Sequence, residues 1–273
     1  MKILCTGSNG FIGKYVVREA VSRGHEIWGY DNVNGNNVLD RDNLIARADV
    51  RDIQAIIHLA GMLGTHELWD KREKAIDVNI KGALNVADAA LFVDAKMVSI
   101  EQPHIWYNVY EATKFAARRM LTGLHYDQGL RVEFVTAHNA FGSGQHHGDG
   151  HPQKIVPTFA TLAWGGEDIP IWGNGEQRVN LVYAGDLAKM LVDRAEEYVA
   201  SPLHTYNAGS QQLMTVKDVA SYVRDYAGQG SKIVHLPMRR GEQDWVDYPE
   251  PDDSYPFALK FEDLDKTIDW YKP

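Results

Sequence analysis

The chain has 273 residues, of which 44% are hydrophobic and 24% charged, and these proportions are typical of a soluble globular protein with one large domain or two modest ones. Its formal net charge of -9 and the lack of any run of five Lys or Arg residues argue against nucleic acid as a partner. The single cysteine, Cys5, excludes an intrachain disulfide bond and a cysteine-based metal site, which agrees with a reducing compartment.

The first half of the sequence alternates short apolar runs with helical patterns, as in a parallel sheet covered by helices. The predicted strands are residues 2–6, 25–30, 44–48, 55–60, 96–100 and 131–137. The predicted helices are a segment between the first two strands that stops at Gly24, then residues 67–90 and 110–126. We therefore expect a Rossmann-like, doubly wound α/β fold.

Beyond about residue 140 the pattern becomes irregular. Short predicted strands at residues 169–172, 180–183 and 232–235 lie among predicted helices at residues 157–164, 185–198 and 216–226. This mixture predicts a smaller α+β lobe that follows the sheet domain.

A glycine turn joins the first strand to the first helix. Residues 6–13 read Thr-Gly-Ser-Asn-Gly-Phe-Ile-Gly, with Gly7, Gly10 and Gly13 three apart. Such glycines allow a tight turn, close approach of the backbone to a pyrophosphate, and close packing of helix on strand. The helix N-terminus then offers free N–H groups to the phosphates. The alternative is that the turn needs glycine for steric reasons only.

Two aspartates follow predicted strands. Asp31 ends the second strand, where a carboxylate would accept hydrogen bonds from the adenosine ribose and repel a 2′-phosphate, which favours NAD over NADP. Alternatively, Asp31 only opens a turn with Asn32. Asp49 follows the predicted third strand and is positioned to meet an adenine edge, or is an ordinary loop residue.

Tyr110 and Lys114 are four residues apart in the sequence YEATK, so on a helix they share one face. A neighbouring ammonium lowers the pKa of a tyrosine and makes it a proton acceptor for a sugar or alcohol hydroxyl. A surface pair without function is the alternative interpretation.

From residue 2 to about residue 242 the sequence resembles the extended short-chain dehydrogenase/reductase superfamily, and within it the NAD-dependent sugar-nucleotide epimerase/dehydratase family. The segments that carry the resemblance are TGSNGFIG at residues 6–13, YDN at 30–32, IIHLAG at 56–61, DVNIKGALNV with Asn79, YEATK at 110–114, HNAFGSGQ with Asn139, WGNGEQ at 172–177, and RRGE with Arg239.

The resemblance implies NAD as the cofactor and a nucleoside-diphosphate sugar as the substrate. It makes Tyr110 and Lys114 the catalytic pair, and Asn139 and Arg239 substrate-binding residues. The expected cofactor-binding residues are Gly7, Asn9, Gly10, Phe11, Ile12, Gly13, Asp31, Asn32, Asp49, Val50, Leu59, Ala60 and Gly61. A metal site is the alternative interpretation of the histidines at 138, 146, 147 and 151, but no cysteine accompanies them, so we favour loop polarity or substrate contacts and expect no metal.

The sequence departs from the family pattern after the fifth predicted strand. The family ends this strand with Ser-Ser or Ser-Thr, and here either Ser99 or Gln102 takes the place of the last hydroxyl. Only Glu101 is acidic there, whereas dehydratases carry an Asp-Glu pair. The expected diphosphate-binding arginine is displaced by one position, to Arg178, and such a shift on a strand turns a side chain to the other face.

The resemblance, with its single acidic residue after the fifth strand, implies 4-epimerisation of a nucleotide sugar through a transient keto intermediate. A 4,6-dehydratase or ketoreductase, or a non-catalytic NAD-binding regulatory protein, are the alternatives. The NAD-binding domain is expected at residues 1–140 with a returning segment near 176–200, and the substrate lobe at 141–175 and 201–273. By analogy we expect a homodimer. Because the sequence has no signal peptide and no apolar run of about 20 residues, we expect a cytoplasmic protein without a membrane partner.

Overall fold

The computed structural model describes residues 1–148, 151–198, 203–239, 242–243, 245 and 248–273. Its strands are β1 (Lys2–Thr6), β2 (Glu26–Tyr30), β3 (Ala55–His58), β4 (Lys96–Glu101), β5 (Val132–Ala137), β6 (Asn139–Phe141), β7 (Ile169–Trp172), β8 (Arg178–Val179), β9 (Leu181–Tyr183), β10 (Thr205–Ala208), β11 (Met214–Thr215) and β12 (Ile233–Leu236). Its α-helices are α1 (Phe11–Ser22), α2 (Arg41–Val50), α3 (Arg72–Ile76), α4 (Gly82–Phe92), α5 (Val109–Gln128), α6 (Ile155–Trp164), α7 (Ala184–Glu196), α8 (Val216–Ala227) and α9 (Phe261–Trp270).

Six parallel strands form the central sheet in the order β10-β5-β4-β3-β1-β2. Alternate residues along the strands enter two apolar clusters, since Leu4 and Ile56 pack with α2, α4 and α5, whereas Ile3 and Ile57 pack with α1 and α7. Burial on both faces explains why the strands read as continuous apolar runs. The predicted α/β, Rossmann-like fold is confirmed.

The predicted strand at residues 44–48 is wrong, because this segment lies inside α2. Asp40 caps the helix by accepting a hydrogen bond from the Asn43 N–H at 3.1 Å. Leu44 and Ala48, one turn apart, are its buried residues. The sheet therefore ends at β2, and the run AIIH forms its third strand rather than its fourth.

Other elements differ in extent from their predictions. The helix predicted from residue 67 begins at Arg72 and contains a π-helical turn, Asp77–Lys81, between α3 and α4. Strand β10 joins the central sheet, although its sequence had been assigned to the lobe. Helix α9 was not predicted.

The C-terminal lobe grows out of the end of β5, where β6 follows directly and pairs with β9. A third apolar cluster fills the lobe, with Phe141, Phe159 and Ile171 among its buried members. Two further strand pairs, β7 with β12 and β8 with β11, complete it. Within the described ranges, no helix is both long and apolar enough to cross a bilayer.

Candidate active site

The glycine turn after β1 has the shape that a pyrophosphate requires. Gly7 has a φ of 72°, and a Cβ there would lie 2.7 Å from the Ala60 nitrogen. A Cβ at Gly13 would overlap the carbonyl oxygen of Gly7. Gly10 is exposed and caps α1 without a side chain, so the first N–H groups of the helix face outward without an intrahelical acceptor.

Asp31 is fixed beside this turn. Its side chain is buried, and its two oxygens accept hydrogen bonds from the Asn9 N–H at 2.9 Å and the Val33 N–H at 3.1 Å. The second bond opens a turn that starts at the exposed Asn32, so Asp31 has the predicted turn role while its carboxylate also borders the glycine turn.

The end of β3 forms the neighbouring wall. The backbone N–H of Leu59 donates to the Thr6 carbonyl at 3.1 Å, and that of Ala60 donates to the Thr6 hydroxyl at 3.3 Å. The same hydroxyl is 2.8 Å from Nδ1 of His58. Thr6 thus ties β3 to the glycine turn, a contact that sequence reasoning missed although Thr6 begins the glycine motif.

The remaining predicted cofactor residues divide into two groups. Phe11 and Ile12 lie in the first turn of α1, and the exposed Gly61 follows the end of β3. All three border the space between the glycine turn, residues 7–13, and the end of β3, which we name the cofactor groove. Asp49 and Val50 instead end α2 and are exposed. Adenine binding by Asp49 was predicted from its position after a strand at residues 44–48. This segment is helical, so that reason no longer supports the assignment of Asp49 and Val50.

Asn79 connects the cofactor groove to the helix that carries Tyr110. It is buried in the π-helical turn, where its side-chain oxygen accepts from the Met62 N–H at 2.7 Å. Its amide nitrogen donates to the Met62 carbonyl at 3.0 Å and to the Thr113 hydroxyl at 2.9 Å. The loop after β3 and helix α5 are therefore held together at this point.

Tyr110 and Lys114 lie one turn apart near the start of α5, which Asn108 caps by accepting from the Glu111 N–H at 2.9 Å. Tyr110 is half-buried and Lys114 is buried. Burial, and secondarily the charge of Glu101, raise the pKa of the Tyr110 phenol. This shift is opposite to the predicted lowering, because burial disfavours the charged phenolate and the Glu101 carboxylate adds a negative charge nearby. The Lys114 ammonium lies 3.8 Å from that carboxylate.

The end of β4 distinguishes Ser99 from Gln102. Ser99 is buried and its hydroxyl donates to Glu101 at 3.0 Å. Gln102 instead lines an open cavity of about 480 Å³, together with Arg118 and Thr136. Among the described residues, the Gln102 amide nitrogen is buried without a hydrogen-bond partner. The geometry thus gives Gln102, rather than Ser99, access to the cavity.

The predicted substrate residues lie in the lobe. The side-chain oxygen of Asn139 accepts a hydrogen bond from the Tyr248 hydroxyl at 2.6 Å. Arg239 pairs with Glu242 at 3.0 Å and stacks 4.2 Å from the Trp172 ring centroid. Sequence reasoning missed the Tyr248 contact, which no short-range pattern indicates.

Arg178 lies outside this group. It is exposed on β8, with its guanidinium 5.4 Å from the Trp245 ring centroid. Residues 240 and 241, in the middle of the RRGE motif, lie outside the described residues.

The histidines after β5 are dispersed. The ring of His138 is buried, which lowers its pKa to about 4. The His146 and His151 rings stack with centroids 5.1 Å apart, and His147 lies 2.7 Å from the Thr161 hydroxyl. In the part of the chain that the structure describes, no three His, Cys, Asp or Glu residues are grouped to hold a metal ion.

Comparison with known sequences decides the family. The sequence model of the NAD dependent epimerase/dehydratase family matches residues 3–101 and 103–209. The chain belongs to this family. It is therefore an enzyme that uses NAD, and the family includes sugar-nucleotide epimerases, dehydratases and decarboxylases.

The similar proteins have different named activities. The chain is 26% identical to UDP-N-acetyl-alpha-D-glucosaminuronate decarboxylase of Bacillus cytotoxicus, over 88% of this chain and 84% of the relative. It is also 26% identical to UDP-glucuronic acid decarboxylase 1 of Xenopus tropicalis, over 88% of this chain and 65% of the relative. The crystal structure of UDP-glucuronic acid 4-epimerase from Bacillus cereus, a complex with UDP-glucuronic acid and NAD, shares the fold, with a TM-score of 0.89 at 17% identity over 100% of this chain and 99% of that one.

The residues of the groove fit the cofactor of the family. A side chain at Gly7 or Gly13 would fill the space next to the β3 backbone or the turn itself, and Asp31 presents a fixed carboxylate at the end of β2. These are the features that a dinucleotide's pyrophosphate and ribose require.

Proposed function

We propose that this enzyme catalyses 4-epimerisation of a nucleoside-diphosphate sugar through a transient 4-keto intermediate. The observation that carries the proposal is the position of Tyr110 and Lys114, which share one face of α5 and are joined to the cofactor groove by Asn79. A phenol at this place can exchange a proton with a sugar hydroxyl, while the sugar carbon that bears this hydroxyl exchanges a hydride with the cofactor.

Tyr110 would accept the proton of the 4-hydroxyl group and return it after the keto sugar has rotated. NAD, when bound, supplies the hydride acceptor and donor and adds a positive charge near the nicotinamide. The positive charge of Lys114 would favour the phenolate form of Tyr110, whereas burial and Glu101 favour the neutral phenol. Proton acceptance by Tyr110 would therefore depend on the positive charge that bound NAD adds.

The surroundings of Glu101 favour epimerisation over dehydration. Loss of water needs a second acid and base near the sugar, and Glu101 is the only acidic residue between Lys96 and Tyr110. It is buried, with one carboxylate oxygen accepting from Ser99 and facing Lys114. A group engaged in this way is poorly placed for proton transfer to the sugar.

A second candidate is decarboxylation of a sugar whose C6 is a carboxylate. The two curated relatives are named as decarboxylases of such sugars. Oxidation at C4 would turn such a substrate into a β-keto acid, and loss of carbon dioxide would leave an enolate that takes up a proton from water at C5. The same Tyr110, Lys114 and NAD would serve both reactions, so retention or loss of the C6 carboxylate distinguishes them.

Incubation of the enzyme and NAD with UDP-glucose and, separately, UDP-glucuronic acid tests the proposal. We expect proton NMR to show the 4-epimer of one of them, and release of labelled carbon dioxide from the C6-labelled uronate would instead identify a decarboxylase. Tyr110→Phe should lower kcat at least 100-fold, which corresponds to an increase in the activation free energy of about 2.7 kcal/mol. Tyr126→Phe is the matched control, because Tyr126 lies exposed on the same helix. Equal rates in the two variants would contradict the proposal.

We further propose that the enzyme is a homodimer that associates through α4 and α5. Phe92 on α4, and Phe115 and Met120 on α5, expose 63%, 47% and 48% of their surface. Exposed apolar side chains on adjacent helices support a protein interface. Light scattering after size-exclusion chromatography should give twice the monomer mass, and Phe115→Asp should shift it towards the monomer.

A further inference from the structure

The carboxylate of Glu101 lies next to the ammonium of Lys114, the proposed catalytic lysine. Glu101 is the last residue of β4 and is 3% exposed. Its side chain is on the same face of the strand as that of Ser99, whose hydroxyl donates to Oε1 at 3.0 Å. The ammonium of Lys114 lies 3.8 Å from the same oxygen. Glu101 and Lys114 therefore meet where the sheet packs against α5.

This carboxylate is incompletely paired. Among the described residues, its second oxygen, Oε2, is buried and has no hydrogen-bond partner. Burial of a carboxylate costs free energy unless it is paired and hydrogen-bonded, and a serine or alanine at this position would avoid the cost. A buried, half-paired glutamate in contact with an active-site lysine therefore points to a function.

The charged and titratable groups around Glu101 come from two elements. Burial raises the pKa of the Glu101 carboxyl, while Lys114 and Arg118 on α5 oppose this shift and favour its ionised form. Tyr110 on α5 is the phenol that the Glu101 charge affects. On β3, His58 is neutral, since burial and Lys114 lower its pKa to about 3. The neighbour on β5 is the uncharged Thr136. Among these described neighbours, Glu101 is thus the acidic group that faces two cations and a phenol.

We propose that Glu101 is a positioning residue for proton transfer by Tyr110. Its carboxylate, oriented by Ser99, holds the Lys114 ammonium against the end of β4. Its negative charge opposes the formation of the Tyr110 phenolate, so that the phenol stays protonated until the cofactor is bound. The kinetic consequences rest on the proposed function, whereas the effect on the Tyr110 phenol does not.

The pH dependence of kcat/KM tests the kinetic part. The low-pH limb reports protonation of the phenolate, so removal of the Glu101 charge in Glu101→Gln should move its midpoint to lower pH by about one unit. Glu101→Asp keeps the charge and should restore the wild-type profile. Glu133→Gln is the matched control, because Glu133 is a buried glutamate on β5 that lies 3.0 Å from Lys96, and it should leave the midpoint unchanged.

A second measurement is independent of turnover. In NAD-loaded protein with ¹³C-labelled tyrosine, the Tyr110 resonance is the one that Tyr110→Phe lacks. We expect its titration midpoint to be about one unit lower in Glu101→Gln than in wild type. If Glu101→Gln does not fold, Ser99→Ala removes the hydrogen bond that stabilises the Glu101 charge and should give a smaller shift in the same direction.

An unchanged titration midpoint would overturn the proposal. The proposal would also be overturned if Glu101→Gln lost all activity at every pH while the Tyr110 titration midpoint stayed unchanged. That result would identify Glu101 as a residue that reacts with the substrate itself. If no sugar nucleotide is converted but the Tyr110 midpoint shifts, the proposed function fails while the positioning role of Glu101 stands.

Discussion

The proposed cofactor groove and the proposed catalytic edge of this enzyme are built in different ways. The groove is made mainly of backbone, since Gly7, Gly13 and the N–H groups of α1 define its shape. The catalytic edge depends on side chains that arrive from β4, α5 and the lobe, such as Glu101, Lys114 and Asn139.

This difference has a physical consequence. A backbone site tolerates only residues without a Cβ at a few positions, so its shape and its sequence are closely linked. A side-chain site depends on packing between distant segments, and one changed contact alters its electrostatics. The Tyr110 phenol shows this, because burial against neighbouring elements, and secondarily the carboxylate of Glu101 on β4, raise its pKa.

Gly13→Ala should break the groove while leaving the catalytic edge intact. The added Cβ would overlap the Gly7 carbonyl oxygen, so either α1 or the glycine turn must move. We expect at least a 100-fold loss of NAD affinity, about 2.7 kcal/mol, and a loss of stability of about 1–3 kcal/mol from overpacking. Calorimetric titration with NAD measures the first, and wild-type affinity would contradict the backbone account of the groove.

The same distinction explains which features could be predicted from the sequence. Local sequence patterns predict the glycine turn, Asp31 at the end of β2 and the positions of most strands along the chain. They do not decide the structure of residues 44–48, because Leu44 and Ala48 fit a strand by alternation and a helix by their spacing of four. The Glu101–Lys114 contact needs the packing of α5 on β4, and the Tyr248 contact with Asn139 spans 109 residues, so neither has a local signal.

A buried histidine between the two regions should make the fold sensitive to acid. His58 titrates near pH 6.5 when exposed, and its pKa falls to about 3 in the folded protein. The unfolded chain binds a proton at His58 at a higher pH than the folded protein does. The free energy of unfolding therefore decreases as the pH falls from 6.5 towards 3. From pH 6.5 to pH 5 the loss is about 2 kcal/mol. Urea unfolding at both values should show a smaller loss in His58→Asn, and equal losses would contradict the buried neutral state.

Asn79→Ala should weaken the connection between the groove and the catalytic edge. It leaves the Met62 N–H and carbonyl without their partner, which costs about 2 kcal/mol of stability. We also expect a lower kcat, since α5 is no longer held to the loop after β3. Asn85→Ala is the control, because Asn85 is also buried and donates to the Val38 carbonyl at 2.9 Å. Within the described part of the chain, it makes no hydrogen bond to α5 or to the loop after β3. Equal effects on kcat would show that Asn79 acts through general stability alone.

Gly123→Ala should have the smallest effect and the opposite sign. Gly123 lies inside α5, and a Cβ there meets nothing within 4 Å. Alanine in a helix interior is more favourable than glycine by about 0.5–1 kcal/mol, so urea unfolding should show a gain of that size with unchanged NAD affinity. Gly129 ends the same helix with a φ of 75°, and Gly129→Ala should lose stability although its Cβ also meets nothing. If the two alanine substitutions change the free energy of unfolding in opposite directions, the difference is due to backbone conformation, because neither site is crowded. At Gly7, backbone conformation and steric crowding act together.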